Sequence, residues 1–423
     1  MIATLVSETP PLWLLGPFIL LLVCIALGPI AFPTLWHRFY PLFAIVLGLI
    51  SASYYVIVGR AGALVHAGQE YVGFIALIGS LYVVAGGIHI RVSGEATPTV
   101  NTLFLAIGAV LASIIGTTGA SMLLIRPWIR MNKYRITSFH IVFFIFIVSN
   151  VGGCLTPVGD PPLFMGYLKG VPFWWTAAHL WKGWALALLL LLAVFFLFDR
   201  ANFLRAPEKI RKLETATETW EFRGLQNVVF IGLILFAVLS LPMGWREGTM
   251  AVAALGSWFA TRREIHEAND FDFEPLKEVA WLFVGIFATM LPALQYLQAQ
   301  PPPLASPGAF YWATGTLSAL LDNAPTYLAF LATAMGSQQL SLDNTADVAV
   351  YIKNHAPTLE AISLASVLFG AMTYIGNGPN FMVKAISQHA KVRTPTFIGY
   401  TIRFAIPILL PILVIVWLVL IRR

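Results

Sequence analysis

Two carboxylates stand where a membrane-crossing helix has least use for them. Asp160 lies in LTPVGDPPLF (155–164), inside a long apolar region and among three prolines and a glycine. Asp322 lies in LDNAPT (321–326), again between apolar arms. A carboxylate at bilayer depth is costly, and such residues usually mark ion paths or proton relays. Loss of water favours the protonated acid and a bound cation favours the carboxylate, so one group can exchange a proton for Na⁺. The bland role for Asp322 is to cap the helical arm that follows it.

The surrounding residues explain why oxygen would be abundant there. Proline removes a backbone donor and clashes with the preceding turn, and glycine permits backbone shapes that other residues resist. TPVGDPP must therefore unwind. Carbonyl and N–H groups freed in lipid each cost several kcal/mol unless ligands or facing polar groups satisfy them. YIGNGPNF (374–381) repeats the break, with Asn377 and Asn380 in place of the acid. GTTGAS (116–121) adds Thr117, Thr118 and Ser121, and LDNAPT adds Asn323 and Thr326. Half-helix C-termini present carbonyl oxygens to cations, and half-helix N-termini favour anions. An aspartyl-protease dyad sharing a proton is disfavoured, because the signature glycine-x-glycine-aspartate is not matched: Pro157 precedes VGD. No catalytic residue is assigned, and the chain is not read as an enzyme.

The elements that must position these groups follow from composition. The 423 residues are 58% hydrophobic and only 11% charged, against about 25% charged in soluble domains. Several apolar stretches are long enough to cross about 30 Å of hydrocarbon. The expected fold is an all-α polytopic membrane protein. Ten spans are expected near 12–32, 39–59, 71–90, 138–168, 173–198, 225–241, 248–261, 277–297, 359–388 and 396–421. Spans 138–168 and 359–388 are too long and too interrupted to be simple helices. Two segments, 100–130 and 308–336, read as re-entrant hairpins with polar tips, since arms so short do not span alone.

The order of elements repeats. Residues 1–199 and 225–423 carry the same series, joined by a polar link at 200–224. GASMLL (119–124) echoes APTYLA (324–329), and VGDPPLF (158–164) echoes IGNGPNF (375–381). Each half makes an odd number of crossings, so the halves are inverted, as in secondary transporters. The net charge of +6 lies in short loops and is no nucleic-acid signal. Basic residues such as Arg38, Arg130, Arg135 and Arg211 collect on one side, which makes that side cytoplasmic and puts both termini outside. The first apolar run, without a basic segment before it, is read as a retained span. Cys24 and Cys154 are read as buried hydrophobes. His89, His140 and His179 are read as packed or interfacial histidines. Arg126 is read as snorkelling to the interface, and Trp174, Trp175, Trp181 and Trp184 as an interfacial belt.

SNVGGCLTPVGDPP (149–162) resembles the broken-helix motif of NhaD-type sodium/proton antiporters. LDNAPT resembles the second hairpin tip of that group and of arsenite permeases, and IGNGPN (375–380) resembles their second broken helix. The element order is similar to the ion transporter superfamily, which includes citrate and dicarboxylate carriers, over nearly the whole chain. The resemblance implies a scaffold domain and a mobile transport domain, a homodimer and an elevator motion. It carries cation ligation onto the tip Thr117, Thr118, Gly119 and Ser121, onto Gly159 with Asp160, onto Asp322 with Asn323, and onto Gly376 with Asn377, with Asn150 and Thr156 as weaker members. The implied Na⁺ set is Thr118, Gly159, Asp160, Asp322, Asn323 and Asn377. GTTGAS lacks the acids that such antiporters carry in the first tip, and Pro161 and Pro162 replace their hydroxyl residues after the aspartate. The serine-asparagine-threonine tips of dicarboxylate carriers are absent too. The expected function is Na⁺/H⁺ antiport in a bacterial inner membrane, and the alternative is cation-coupled uptake of citrate or another small carboxylate. Transported or coupling Na⁺ is expected and no other cofactor; the expected partners are a small cation, a small carboxylate and the bilayer.

Overall fold

The computed structural model describes residues 9–91, 96–205 and 221–422. The chain is helical almost throughout: α1 (Leu15–Ala31), α2 (Pro33–Ile57), α3 (Ala61–Gly86), α4 (Pro98–Met131), α5 (Ser138–Ile147), α6 (Pro161–Leu168) and α7 (Phe173–Arg205). Then follow α8 (Asn227–Ser240), α9 (Trp245–Ala260), α10 (Arg263–Ala268), α11 (Glu274–Ala299), α12 (Pro307–Leu320), α13 (Asn323–Gly336), α14 (Thr345–Phe369), α15 (Gly378–His389) and α16 (Phe397–Ile421). Among the described residues, 8 helices are long and apolar enough to cross a membrane. This is an all-α polytopic membrane protein.

Several boundaries differ from those expected. α3 starts at Ala61 rather than at 71, and α14 at Thr345 rather than at 359. α8 and α9 have 14 and 16 residues, short of the 18 a span requires here. The polar link is helical as far as Arg205, and its 206–220 portion lies outside the described residues. After it, β2 (Glu221–Arg223) pairs antiparallel with β1 (His89–Arg91), fastening the link to the end of α3. Apolar periodicity could not show so short a ribbon.

Local chemistry accounts for the helix starts and breaks. α4 begins with Thr97 capping the Val100 N–H and Pro98 in the first turn. α12 begins the same way, with Ser306 capping the Ala309 N–H ahead of Pro307. Proline fits the first turn, where its missing donor is not needed. α4 folds back at Gly116, whose φ of 79° is a left-handed conformation that glycine adopts without steric cost. Its two arms meet again where Asn101 Nδ2 donates to Asn132 Oδ1 at 2.8 Å. α12 and α13 pack against one another across the turn at Leu321 and Asp322.

Two groups of helices pack mainly among themselves. α11 lies on α1, α2 and α3, and α9 lies on α3 and α8. On the other side α12 packs on α14, and the segment after α5 packs on α4 and α7. α5 is SFHIVFFIFI, buried from His140 to Ile147, as expected of a helix that is apolar all round. Trp174 and Trp181 are exposed, but Trp175 turns inward to 7% exposure, so the expected belt holds only part of its tryptophans.

Several of the basic side chains have acidic partners. Arg135 is no free loop charge. It pairs with Asp199 of α7, and Asn101 Nδ2 also reaches that carboxylate at 2.9 Å. His140 Nδ1 accepts from the Thr137 N–H at 3.2 Å, so Nε2 carries the proton and donates to Asp199 at 3.0 Å. Arg126 Nε is 3.4 Å from Oδ2 of the exposed Asp270. Lys169 lies 2.8 Å from Glu70 of α3 and 2.7 Å from Asp343.

Candidate functional site

Both interrupted segments are built by the same contacts. After α5 the chain makes a tight helical turn, Val151–Leu155, and re-enters a helix at Pro161. After α14 it makes the turn Gly370–Met372 and re-enters at Gly378. A Cβ on Gly159 would stand 2.2 Å from the Gly153 carbonyl oxygen, and one on Gly376 would stand 2.6 Å from that of Gly370. Only glycine fits either contact. Thr156 Oγ1 donates to the Ser113 carbonyl and accepts from the Gly159 N–H. Thr373 Oγ1 donates to the Ala319 carbonyl and accepts from the Gly376 N–H. Each threonine therefore satisfies an unwound amide while tying the break to the neighbouring hairpin.

Asp160 stands at the end of the first break and is 1% exposed. Its Oδ1 accepts from Thr117 Oγ1 at 2.8 Å and from Asn377 Nδ2 at 2.9 Å. Its Oδ2 accepts from Asn323 Nδ2 at 2.8 Å. One carboxylate thus joins the first hairpin tip, the second tip and the second break. All three donors are neutral, and among the described residues no cationic side chain pairs with it. Burying a charge without a counter-charge is expensive, and hydrogen bonds offset only part of that cost.

Asparagines hold the rest together. Asn377 Nδ2 also reaches Asn150 Oδ1 at 3.3 Å and the Ser149 carbonyl at 3.1 Å. Asn150 Nδ2 donates to Asn380 Oδ1 at 2.7 Å, and Asn380 Nδ2 donates to the Gly370 and Thr373 carbonyls. Asn323 Oδ1 is buried and has no hydrogen-bond partner. An orphan acceptor beside an unpaired carboxylate suits a monovalent cation or a protonated group.

The other sequence candidates occupy distinct places. Asp322 Oδ1 accepts from the Ala324 N–H at 3.0 Å, so it caps α13. Thr326 turns back onto the Asp322 carbonyl. Ser121 bonds Ser149, one layer behind the acid. Gly119 packs toward Ala85 of α3. Thr118 lines an open groove together with Asp322, Asn323 and Asn377. No hydrogen bond joins the carboxyls of Asp160 and Asp322, which have separate partners, so they form no proton-sharing dyad.

That groove has a volume of about 1600 Å³ and separates the two packing groups. Its outer walls are charged. Asp270, Asp272, Glu274 and Glu278 lie on the α11 side, and Arg126, Arg130 and Lys384 lie on the α4 and α15 side. Lys384 went unnoticed in the sequence because its signal, a lysine a few residues after a helix restart, is common.

The sequence profile of a family described as "Putative citrate transport" matches residues 7–421. The chain belongs to that family. No curated protein matches it. The family match makes this a multi-pass membrane transporter, on the citrate side of the resemblance and not specifically in the NhaD-type group. Within this citrate transport family member, Asn323 joins the three features: its Nδ2 holds the acid, its Oδ1 is the orphan acceptor, and it lines the groove.

Proposed function

We propose that this chain is a secondary transporter that carries a small carboxylate such as citrate across the membrane, coupled to Na⁺ or protons bound at Asp160. One observation carries the reading: a buried carboxylate held only by neutral donors from both hairpins and the second break, two of which, Asn323 and Asn377, line a groove whose charged side chains include Arg126, Arg130 and Lys384. A coupling cation at Asp160 and Asn323 Oδ1 would supply the missing positive charge, and a carboxylate in the groove would meet the basic wall. The α1–α3, α8, α9 and α11 group would be the scaffold. The group with both hairpins and both breaks would move against it as an elevator, as an inverted repeat in a bacterial inner-membrane homodimer.

The test is uptake of labelled citrate by proteoliposomes under an imposed Na⁺ or proton gradient. Gradient-stimulated uptake supports the proposal, and citrate uptake indifferent to both cations overturns it. Na⁺/H⁺ exchange without a carboxylate is the second reading, favoured by two acids, Asp322 lining the groove and Asp160 buried against Asn323 and Asn377 of its lining. Sodium-driven dissipation of a pH gradient in citrate-free vesicles, with no citrate uptake, would select it.

A further inference from the structure

We infer that Lys384 is the side chain that recognises a carboxylate of the transported anion, an assignment that rests on the carboxylate-transport reading above. Lys384 lines the groove on α15. Its Nζ stands 4.6 Å from the centroid of the Tyr374 ring and 5.5 Å from that of Phe381. Phe381 lies one turn earlier on the same helix, and Tyr374 lies in the break that precedes it. Side chains on a helix lean toward its N-terminus. The two rings therefore hold the ammonium back toward the break.

The ammonium has no acid there. Among the described residues it makes no ion pair or hydrogen bond, although Glu278 lines the same groove. The other basic side chains of the groove are placed differently. Arg126 is engaged by Asp270. Arg130 is in the last turn of α4, about 21 Å along the helix from the Gly116 tip at 1.5 Å per residue. Lys384 is only about 9 Å along α15 from Gly378 by the same rise. A face-on ring attracts a cation weakly and leaves its N–H donors free. Lys384 is thus a positioned, uncommitted cation beside the second break, which is what an anionic carboxylate needs for a charge-assisted hydrogen bond.

The experiment uses the full chain in proteoliposomes, with labelled citrate and labelled succinate as probes, comparing the wild type with Lys384→Gln, Lys384→Arg and Glu278→Gln. Loss of one charged hydrogen bond corresponds to about a tenfold or larger rise in KM for citrate. The expected result is that rise in Lys384→Gln with kcat little changed, recovery in Lys384→Arg, and a smaller penalty for succinate, which has one carboxylate fewer to place. An unchanged KM in Lys384→Gln overturns the assignment. So does a matching fall of kcat alone in Lys384→Gln and Glu278→Gln, which would make the two a closing pair across the groove. If the wild type takes up neither anion, the transport reading itself has failed, and the assignment with it; the wild-type trace separates that case from failure of Lys384 alone.

Discussion

Asp160 accepts hydrogen bonds on both oxygens, so an amide cannot replace it neutrally. In Asp160→Asn one end of the side chain becomes a donor facing either Asn323 or the pair Thr117 and Asn377. A mismatch with a charged hydrogen-bond partner costs about 1.5–3 kcal/mol. Cation-dependent uptake should fall by tenfold or more in proteoliposomes, and uptake at the wild-type rate with unchanged cation dependence would remove Asp160 from the coupling site. Asp322 offers a cleaner contrast. Asparagine caps a helix about as well as aspartate, so Asp322→Asn should keep the cap on Ala324 and leave the melting temperature of the purified protein nearly unmoved. Any loss of transport in that variant then reports charge in the groove rather than unfolding.

The hairpins depend on a few positions. In Gly116→Ala, the left-handed backbone and a Cβ 3.2 Å from the Val158 carbonyl oxygen should together destabilise the protein by about 1–3 kcal/mol, read as a lower melting temperature in detergent. The base of the first hairpin is held by Asp199, and Asp199→Ala would leave Arg135 buried without its partner. Breaking a buried ion pair costs about 3–5 kcal/mol, so this variant should melt earlier than Gly116→Ala; equal melting points would mean the cluster does little to hold α4. The breaks were legible in the sequence because proline and glycine announce them within a few residues. The meeting of Thr117, Asp160, Asn323 and Asn377 was legible only as a set of polar tips, since which donor reaches which oxygen is decided by packing between distant segments. Asp199 was not legible at all. An acid near the end of an apolar helix looks like an interfacial charge until Arg135 and His140 fold onto it.

At the scale of the molecule, two ion pairs among the described residues cross between the packing groups, Arg126 with Asp270 and Lys169 with Glu70. Lys169 is 6% exposed, so its pair is little screened by salt. If the groups move past one another, Lys169→Glu should depress the uptake rate, and Lys169→Glu with Glu70→Lys should restore part of it. Failure of the double swap to exceed the single one in the same uptake assay would show that the contact does not bear on motion.

The amide clasp of Asn150 and Asn380 has its own consequence for energetics. Because this hydrogen bond ties the two bends together, neither kink relaxes without dragging its counterpart, and under the proposed motion the ligand chamber would be carried from leaflet to leaflet as one preshaped casting. Intrinsic affinity for the passenger would then be nearly equal on the two faces of the membrane, and the direction of net flux would follow the summed gradients of driving ion and passenger rather than any asymmetry of the chamber.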